Sequence, residues 1–202
     1  MDLCAPCLHA LPLLGPACTR CALPLPSAGT CGRCLRRPPP LDSVHACLRY
    51  ATPVDQLLPR FKFHQDLAAG HLLAQLMRLH HPVLSPDTCL VPVPLHPKRL
   101  RQRGYDQALE LARPLSRQLK LGLDSGLLRR IRDTQAQSDL EANARRRNLR
   151  HAFQASPRHT PPRHVVLLDD VMTTGATLHA AARALRRVGV ERVDAWVCAR
   201  TP

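Results

Sequence analysis

The sequence predicts an α/β domain built on a parallel sheet, preceded by a small cysteine-rich module. Two observations carry this prediction. Apolar runs typical of strands buried on both faces alternate with helical patterns, most clearly where Val165–Leu168 is followed by His179–Val188. Three Cys-x-x-Cys pairs fall within the first forty residues, and none follows later. A chain of 202 residues has room for one main domain and one small module, which we expect at residues 41–202 and 1–40.

The strands and helices of the predicted domain follow one another along the chain. Pro38–Pro40 is a stiff connector that ends the cysteine-rich module, and Ser156–Arg163 is a proline-rich linker. Strands are predicted at Ser43–Tyr50, Cys89–Leu95, Leu127–Ile131, Val165–Leu168 and Arg192–Ala199, the last of which we expect to close the sheet. Helices are predicted at Val54–Phe63, Leu67–Leu79, Glu110–Leu119, Asp139–Asn148 and His179–Val188, with Pro114 expected to kink or break the third. We expect ligands at the carboxyl ends of the strands.

The chain is strongly basic, with a formal net charge of +14 and a pI near 10.4. Such a charge favours a polyanionic partner, either nucleic acid or a phosphorylated ligand. Only three of the basic residues are lysines, and the chain is rich in Arg, Ala, Leu and Pro. A bias in coding composition produces the same mixture without a functional cause, so both explanations stay open.

The amino-terminal stretch does not resemble an export signal. It begins with the acidic Met1–Cys4, and Pro6, Pro12 and Pro16 interrupt its apolar residues. No apolar run approaches the length of a transmembrane helix. We therefore expect a cytoplasmic protein whose nine cysteines bind metal rather than form disulfides.

The three Cys-x-x-Cys pairs predict a structural Cys₄ zinc site, because two such pairs present four thiolates to one tetrahedral ion. The preferred ligands are Cys18, Cys21, Cys31 and Cys34, since the short loop between the second and third pairs lets the chain return. A second grouping, in which Cys4 and Cys7 join Cys18 and Cys21, has nearly the same spacing. Reduced thiols without metal are the third interpretation.

The strand at Val165–Leu168 leads into a candidate phosphate site. Asp169 and Asp170 follow the strand, and a short loop with Gly175 and hydroxyl side chains at positions 173, 174 and 177 precedes the next helix. Orphan amide N–H groups at a helix N-terminus bind anions, and Gly lets the backbone approach them closely. Carboxylates cannot bind phosphate but accept hydrogen bonds from vicinal hydroxyls. A phosphate next to a diol describes a ribose 5-phosphate.

A cluster of cationic side chains follows the strand Cys89–Leu95. Lys98, Arg99 and Arg103 lie in the basic loop that runs from His96 to Gln107. Guanidinium groups pair bidentately with phosphate oxygens, so these three side chains are candidates for binding a pyrophosphate. The alternative is a solvated basic loop without a ligand.

The run from Val165 to Thr177 resembles the loop with which type I phosphoribosyltransferases bind 5-phosphoribosyl 1-diphosphate (PRPP). The resemblance implies that Asp169 and Asp170 hold the ribose hydroxyls. It implies that the 5′-phosphate lies against Val171, Met172, Thr173, Thr174, Gly175, Ala176 and Thr177. It also implies that PRPP is bound with Mg²⁺, and that an active enzyme releases pyrophosphate while the protein stabilises the charge of the leaving group.

A wider resemblance covers nearly the whole chain, which is similar to the ComF family of competence-associated proteins. It is carried by the cysteine pairs and by the stretches Val91–Leu95, Arg99, Arg103–Gln107, Arg132–Gln135 and Arg147–Phe153. Two features depart from the family. Members with a double ribbon often have four cysteine pairs where this chain has three, and the basic loop commonly has Asn where this chain has Asp106. A negative charge there weakens pyrophosphate binding unless Arg99 or Arg103 pairs with it.

Two functions remain open at this stage. The ComF resemblance implies a PRPP-binding protein of DNA uptake, with single-stranded DNA and the competence machinery as partners and a place at the inner face of the membrane. The arginines expected to contact DNA backbone are Arg20, Arg33, Arg36, Arg37, Arg145, Arg146 and Arg147. The alternative is an active phosphoribosyltransferase of nucleotide salvage. Its acceptor is not identified, because the six aromatic residues form no recognisable stacking pocket.

Overall fold

A computed structural model of the chain describes residues 3–133, 151–157 and 160–201. Its helices are α1 Ala5–His9, α2 Gly32–Arg36, α3 Val54–Phe63, α4 Leu67–Leu79, α5 Pro97–Arg103, α6 Gln107–Leu119 and α7 Ala176–Arg187. Its strands are β1 Val44–Arg49, β2 Cys89–Pro92, β3 Gly122–Leu123, β4 Leu128–Arg130, β5 Phe153–Ala155, β6 His164–Met172 and β7 Arg192–Arg200. The predicted helix Asp139–Asn148 lies outside the described residues.

The centre of the fold is a five-stranded parallel sheet in the order β1-β7-β6-β2-β3. The two longest strands, β6 and β7, pair from His164 beside Arg192 to Met172 beside Arg200. The expectation that the last strand closes the sheet is wrong, because β1 pairs with the outer side of β7. The carboxyl ends of β6 and β7 therefore lie side by side within the sheet rather than at its edge.

Both faces of this sheet are buried, as continuous apolar strands require. On β6, Val165 and Leu167 join the core on one face, while Val166 and Leu168 join the core on the other. The first face is covered by α7 and by the cysteine-rich module, and the second by α3, α4 and α6. The predicted fold class, a parallel sheet flanked by helices, is confirmed.

Three segments differ from the sequence prediction. The stretch expected to be a basic loop contains the helix α5, because Pro97 suits a first helical position, the His96 side chain caps it, and Gly104 ends it at φ +85°. Helix α6 continues through Pro114, since its Leu111 and Leu115 face is buried and outweighs the missing hydrogen bond. Strand β6 runs on through the acidic pair to Met172 instead of ending before it.

Two short strands, β3 and β5, were not predicted. Strand β5 pairs antiparallel with β4 in a separate two-stranded sheet, with Leu128 opposite Ala155 and Arg130 opposite Phe153. The strand expected at Leu127–Ile131 therefore exists in part, as β4, but lies outside the main sheet. Strands of two or three residues carry too few side chains to show a period.

The cysteine-rich module packs directly against the α/β domain. Its backbone pairs with β1 through Leu14 N to Cys47 O at 3.0 Å and Arg49 N to Pro12 O at 2.7 Å. The side chain of Arg20 donates to the Leu41 carbonyl at 3.0 Å. The buried cysteines of the module belong to the same apolar cluster as α7. The module therefore shares a core with the domain instead of hanging from a linker.

Candidate functional site

The loop between β6 and α7 has the geometry expected of a phosphate site. Gly175 caps α7 in the left-handed region at φ +78°, and a Cβ there would lie 2.4 Å from the Met172 Cε atom. No other residue fits this position without strain. Thr173 and Thr174 are exposed, and Thr174 Oγ1 accepts a hydrogen bond from Ala176 N at 3.4 Å. The loop therefore presents hydroxyls at the N-terminus of a twelve-residue helix.

The acidic pair lies at the base of this loop, and Asp170 is paired with a lysine from another element. Lys62 of α3 places its Nζ atom 2.9 Å from Asp170 Oδ1, with the Asp170 side chain 9% exposed. The backbone amide of Val171 donates to the same Asp170 oxygen at 2.6 Å. Lys62 was not predicted as a site residue, because it lies far from Asp170 in the sequence and reaches it only through the fold. Its charge offsets that of Asp170.

Asp169 is in a different electrostatic position from its neighbour. Burial and the nearby Asp170 carboxylate raise the pKa of Asp169 well above its ordinary value, and Lys62 only partly opposes this. Asp169 Oδ1 also accepts a hydrogen bond from Asp170 N at 2.9 Å. Two close carboxylates with one compensating lysine therefore disfavour ionisation of Asp169.

A second group of charges surrounds the pair. Arg99 of α5 makes an ion pair with Asp133, Nε to Oδ1 at 3.5 Å. Burial lowers the pKa of Arg130 on β4, with Arg99 adding to the effect and the Asp169 charge opposing it. The Arg130 guanidinium also lies over the Phe153 ring at 5.5 Å from its centroid. Arg130 is thus a half-buried cation that interacts electrostatically with Asp169. It was not predicted as a site residue from the sequence.

The three cations predicted to bind pyrophosphate all belong to α5 and have different surroundings. Lys98 is exposed at the start of the helix, where its amide N donates to His96 Nδ1 at 3.3 Å. Arg99 is half-buried beside Asp133, and Arg103 places its guanidinium 5.2 Å from the centroid of the Phe63 ring. Phe63 follows Lys62 directly, so α3 and α5 meet beside the acidic pair.

Asp106 has a structural role that the sequence analysis did not predict. Its carboxylate caps α6 by accepting from Leu109 N at 3.1 Å and holds the segment after β2 by accepting from Leu95 N at 2.8 Å. Burial raises its pKa although these amides oppose the shift. Arg99 and Arg103, whose pairing with Asp106 would offset its charge, contact Asp133 and Phe63. Asp106 is satisfied by backbone donors.

Four cysteines of the amino-terminal module come together in one cluster. The sulfur atoms of Cys18, Cys21, Cys31 and Cys34 lie within 4.8 Å of one another, and all four residues are buried. Cys21 Sγ and Cys31 Sγ are 3.8 Å apart. A tetrahedral zinc ion with bonds of about 2.3 Å to sulfur separates its ligands by roughly 3.8 Å, so the cluster fits a metal of this kind.

Hydrogen bonds favour ionisation of one thiol of the cluster, whereas burial and the neighbouring thiols raise the pKa of Cys21 and Cys34. Burial opposes ionisation of Cys18, but the amides of Cys31 and Arg20 lower the pKa of its thiol to about 7. The Cys31 N to Cys18 Sγ distance is 3.3 Å. Cys4 and Cys7 are exposed and lie outside the cluster, where the Cys7 amide and thiol lower the pKa of Cys4. The structure thus groups the preferred four ligands and not the alternative set.

The remaining predicted contacts are partly beyond the described chain. Arg145, Arg146 and Arg147 lie outside the described residues. In the cysteine-rich module Arg33, Arg36 and Arg37 are exposed. Arg20 is instead half-buried and bonded to the Leu41 carbonyl, so it ties the module to the domain.

The fold and the site together define a protein with a phosphoribosyltransferase domain. The family described as the phosphoribosyl transferase domain matches residues 106–202, which include β6, the acidic pair, the loop and α7. The match does not include the cysteine-rich module, Lys62 or α5.

Similarity to characterised proteins extends beyond this domain. The chain is 35% identical to the DNA utilization protein YhgH of Escherichia coli K12 over 209 residues, which cover 98% of the chain and 90% of that protein. It is 38% identical to Competence protein F of Haemophilus influenzae over 153 residues, 71% of the chain and 66% of that protein. It is 31% identical to Competence protein ComFC of Bacillus subtilis over 136 residues, 66% of the chain and 54% of that protein. The chain belongs to the ComF family.

The alignments differ in how much of each relative they span. The chain covers slightly less than two thirds of the Haemophilus protein and about half of the Bacillus protein, but nearly all of the protein from Escherichia coli K12. In the described part of the chain, no helix has the length and apolar character needed to cross a membrane.

Proposed function

We propose that this protein binds PRPP at the carboxyl end of β6 and acts in DNA uptake, with single-stranded DNA as a partner. One observation carries the PRPP assignment: two adjacent carboxylates lie near the end of β6, directly before a loop with exposed hydroxyl groups that leads into α7. Asp169 and Asp170 hold the ribose hydroxyls, because carboxylates accept bonds from a diol. Residues Val171–Thr177 hold the 5′-phosphate with backbone amides and hydroxyls.

The pyrophosphate of PRPP lies on the α5 side of the site in this proposal. Lys98, Arg99 and Arg103 supply the cations, and Arg130 adds a fourth positive charge within the field of Asp169. Arg99 is paired with Asp133 at 3.5 Å, a distance at which a dianionic ligand competes successfully for the guanidinium. Mg²⁺ accompanies PRPP and compensates the charge of the diphosphate.

The four clustered cysteines hold a structural zinc ion in our proposal. Their thiols match the ligand number and spacing of a Cys₄ site, and none of the four is exposed. We place the boundary between the module and the phosphoribosyltransferase domain at residue 40, after the proline run. Zinc keeps the cysteine-rich module folded against β1, because a module of this size buries too little apolar surface to fold alone.

Two lines of support favour a role in DNA uptake over nucleotide salvage. The relatives include proteins named for competence and for DNA utilization. The chain has a net charge of +14, and three arginines of the cysteine-rich module are exposed. We propose that these arginines and Arg145, Arg146 and Arg147 contact the DNA backbone, in a cytoplasmic protein that associates with the inner face of the membrane and the competence machinery.

Isothermal titration of PRPP with Mg²⁺ tests the donor site. We expect Asp170→Asn to weaken PRPP binding more than about tenfold, because it removes a charge-assisted bond worth roughly 1.5–3 kcal/mol. Unchanged binding in this variant contradicts the assignment. Asp124→Asn is a matched control, because Asp124 caps a turn through Gly126 N and Leu127 N and lies outside the proposed site.

A second experiment separates the two functions. The protein is incubated with PRPP, Mg²⁺ and a panel of nucleobases and amines, and released pyrophosphate is measured. We expect no acceptor-dependent release, together with binding of a labelled single-stranded oligonucleotide. Release with a nucleobase and no DNA binding supports the salvage enzyme instead. Fractionation of cells into cytoplasm and membrane, before and after a high-salt wash, tests the proposed location.

A further inference from the structure

Met172, at the end of β6, is held by the last residues of β7. Its carbonyl oxygen accepts from Arg200 Nη1 at 3.2 Å and from the Thr201 amide and hydroxyl, each at 3.1 Å. The side chain of Met172 is buried beneath the loop, where its Cε atom occupies the space that a Cβ of Gly175 would need. The Met172 side chain therefore packs directly against Gly175, which caps α7.

The same arginine contacts the cysteine-rich module. Arg200 Nε donates to the carbonyl oxygen of Cys21 at 3.0 Å. Arg200 is 3% exposed, and its hydrogen-bond acceptors in the described residues are the carbonyl oxygens of Cys21, Met172 and Thr201. Burying a guanidinium without a carboxylate costs free energy that an apolar residue would avoid. A buried cation here therefore calls for a reason beyond packing.

The Cys21 carbonyl, to which Arg200 donates, belongs to the turn from Cys18 to Ala22, which carries two of the four clustered sulfur atoms. Ala22 N donates to Cys18 O at 2.8 Å, and Ala22 has a left-handed φ of +53°. A metal bound to the sulfurs of Cys18 and Cys21 fixes both ends of this turn, whereas without metal the two side chains are no longer held by a shared ligand. The position of the Cys21 carbonyl therefore depends on metal occupancy.

We propose that Arg200 is a positioning residue that couples the metal site of the cysteine-rich module to the 5′-phosphate loop. The contacts run from the Cys18–Cys21 turn through the Arg200 guanidinium to the Met172 carbonyl, and from the Met172 side chain to Gly175. This inference rests on the proposed function, in which residues 171–177 bind phosphate. Coupling is reciprocal, so PRPP must strengthen the equilibrium binding of metal by the same factor by which metal strengthens PRPP binding.

Hydrogen exchange measures the coupling without depending on PRPP. Two amides are followed in the full-length protein with metal bound and after chelation: Thr201 N, which donates to Met172 O at 3.1 Å, and His179 N, which donates to Gly175 O at 2.9 Å. We expect chelation to speed their exchange at least about tenfold, because a buried charge-assisted contact that orders the loop is released. Amides at the start of β6, from His164 to Leu167, are the internal reference and should not change.

Variants of Arg200 identify the residue that carries the coupling. We expect Arg200→Met to exchange rapidly at Thr201 and His179 even with metal bound, so that chelation adds less than about twofold. Arg200→Lys, which keeps the charge but not the two-armed fork, should show partial coupling. Arg163→Met is the control, because Arg163 is an exposed arginine paired with Glu191 at the opposite end of β6. It should behave as the native protein does.

The outcomes also separate this inference from the proposed function. If chelation frees the amides of residues 18–34 but leaves those of Thr201 and His179 protected, the coupling is wrong whether or not PRPP binds. If the loop responds to chelation and Arg200 is required, but the native protein does not bind PRPP, the coupling is right and the proposed function is wrong. A protein that contains and binds no metal overturns the coupling as well. Should Arg200→Met fail to fold, Arg200→Lys and chelation of the native protein decide.

Discussion

The ion pair between Lys62 and Asp170 permits a quantitative test of how the donor site is held together. The perturbation is Lys62→Met, which keeps the length of the side chain and removes its charge. Lys62 Nζ lies 2.9 Å from Asp170 Oδ1, and the two side chains are 24% and 9% exposed. The variant therefore leaves a largely buried carboxylate beside Asp169 without its cation.

The cost of this change is well below the bare Coulomb attraction. Coulomb attraction at 2.9 Å is worth about 6 kcal/mol at an effective dielectric constant near 20, but the desolvation of both ions offsets much of it. Removing one partner of a buried ion pair typically costs about 3–5 kcal/mol. Since Lys62 is partly exposed and Val171 N still bonds Asp170, we expect a net loss of about 2–3 kcal/mol.

Urea unfolding measures the free energy of unfolding of the native protein and of the variant. Lys120→Met is the control, because Lys120 is exposed, and it should change the free energy by about 0.5 kcal/mol or less.

A double-mutant cycle completes the test. Asp170→Asn removes the stranded charge, so Lys62→Met should cost less than about 1 kcal/mol in that background. An equal cost of Lys62→Met with Asp and with Asn at position 170 would refute an electrostatic role for the lysine. That result would mean that the lysine contributes through its packed methylene groups and not through its charge.

Three further predictions concern the acidic pair, the metal and DNA. Burial and Asp170 raise the pKa of Asp169, so PRPP affinity should increase as pH rises through that pKa, and titrations of Asp169→Asn should lack this dependence. The same variant should have a higher melting temperature at neutral pH, because a carboxyl whose pKa is raised in the folded state loses stability as pH rises. Metal analysis should find about one zinc per chain and none in Cys18→Ser/Cys31→Ser, whereas full retention would place the site at Cys4 and Cys7. The affinity for single-stranded DNA should fall with salt, with a slope of log affinity against log salt concentration of roughly −0.7 per phosphate neutralised. Replacing Arg145–Arg147 with Gln should reduce that slope and leave PRPP binding unchanged. Loss of PRPP binding with intact DNA binding would instead assign these arginines to the pyrophosphate site.

The sequence predicted the elements that carry their information locally. Helices α3 and α4 begin and end at the predicted residues, since an amphipathic period over ten or more residues is unambiguous. The strand, acidic pair and glycine of the phosphate loop are contiguous, so their arrangement was visible as a run of letters. The four clustered cysteines were predicted for the same reason, because the loop between the pairs is short.

The parts that sequence did not predict depend on contacts between distant residues. Lys62 and Asp170 are over one hundred positions apart, and nothing in the period of α3 shows that this side chain faces the end of β6. The chain uses arginine for nearly every cation, and its lysines are Lys62, Lys98 and Lys120. Of these three, Lys98 and Lys120 are exposed and Lys62 alone is largely buried against a carboxylate, so composition did not distinguish it.

Asp106 shows how a residue near a binding site can serve the fold instead. From its position in the sequence, beside the cations proposed to bind pyrophosphate, the Asp106 carboxylate is expected only to weaken pyrophosphate binding. Its two backbone hydrogen bonds join Leu95, in the segment after β2, to the start of α6, and Leu95 and Asp106 lie eleven residues apart with α5 between them. The carboxylate thus closes the base of the segment that carries Lys98, Arg99 and Arg103. An amide at this position supplies one acceptor oxygen where the carboxylate supplies two, so Asp106→Asn must give up one of these bonds or replace its acceptor. The charge that looked unfavourable for the ligand therefore holds the helix of cations against the sheet.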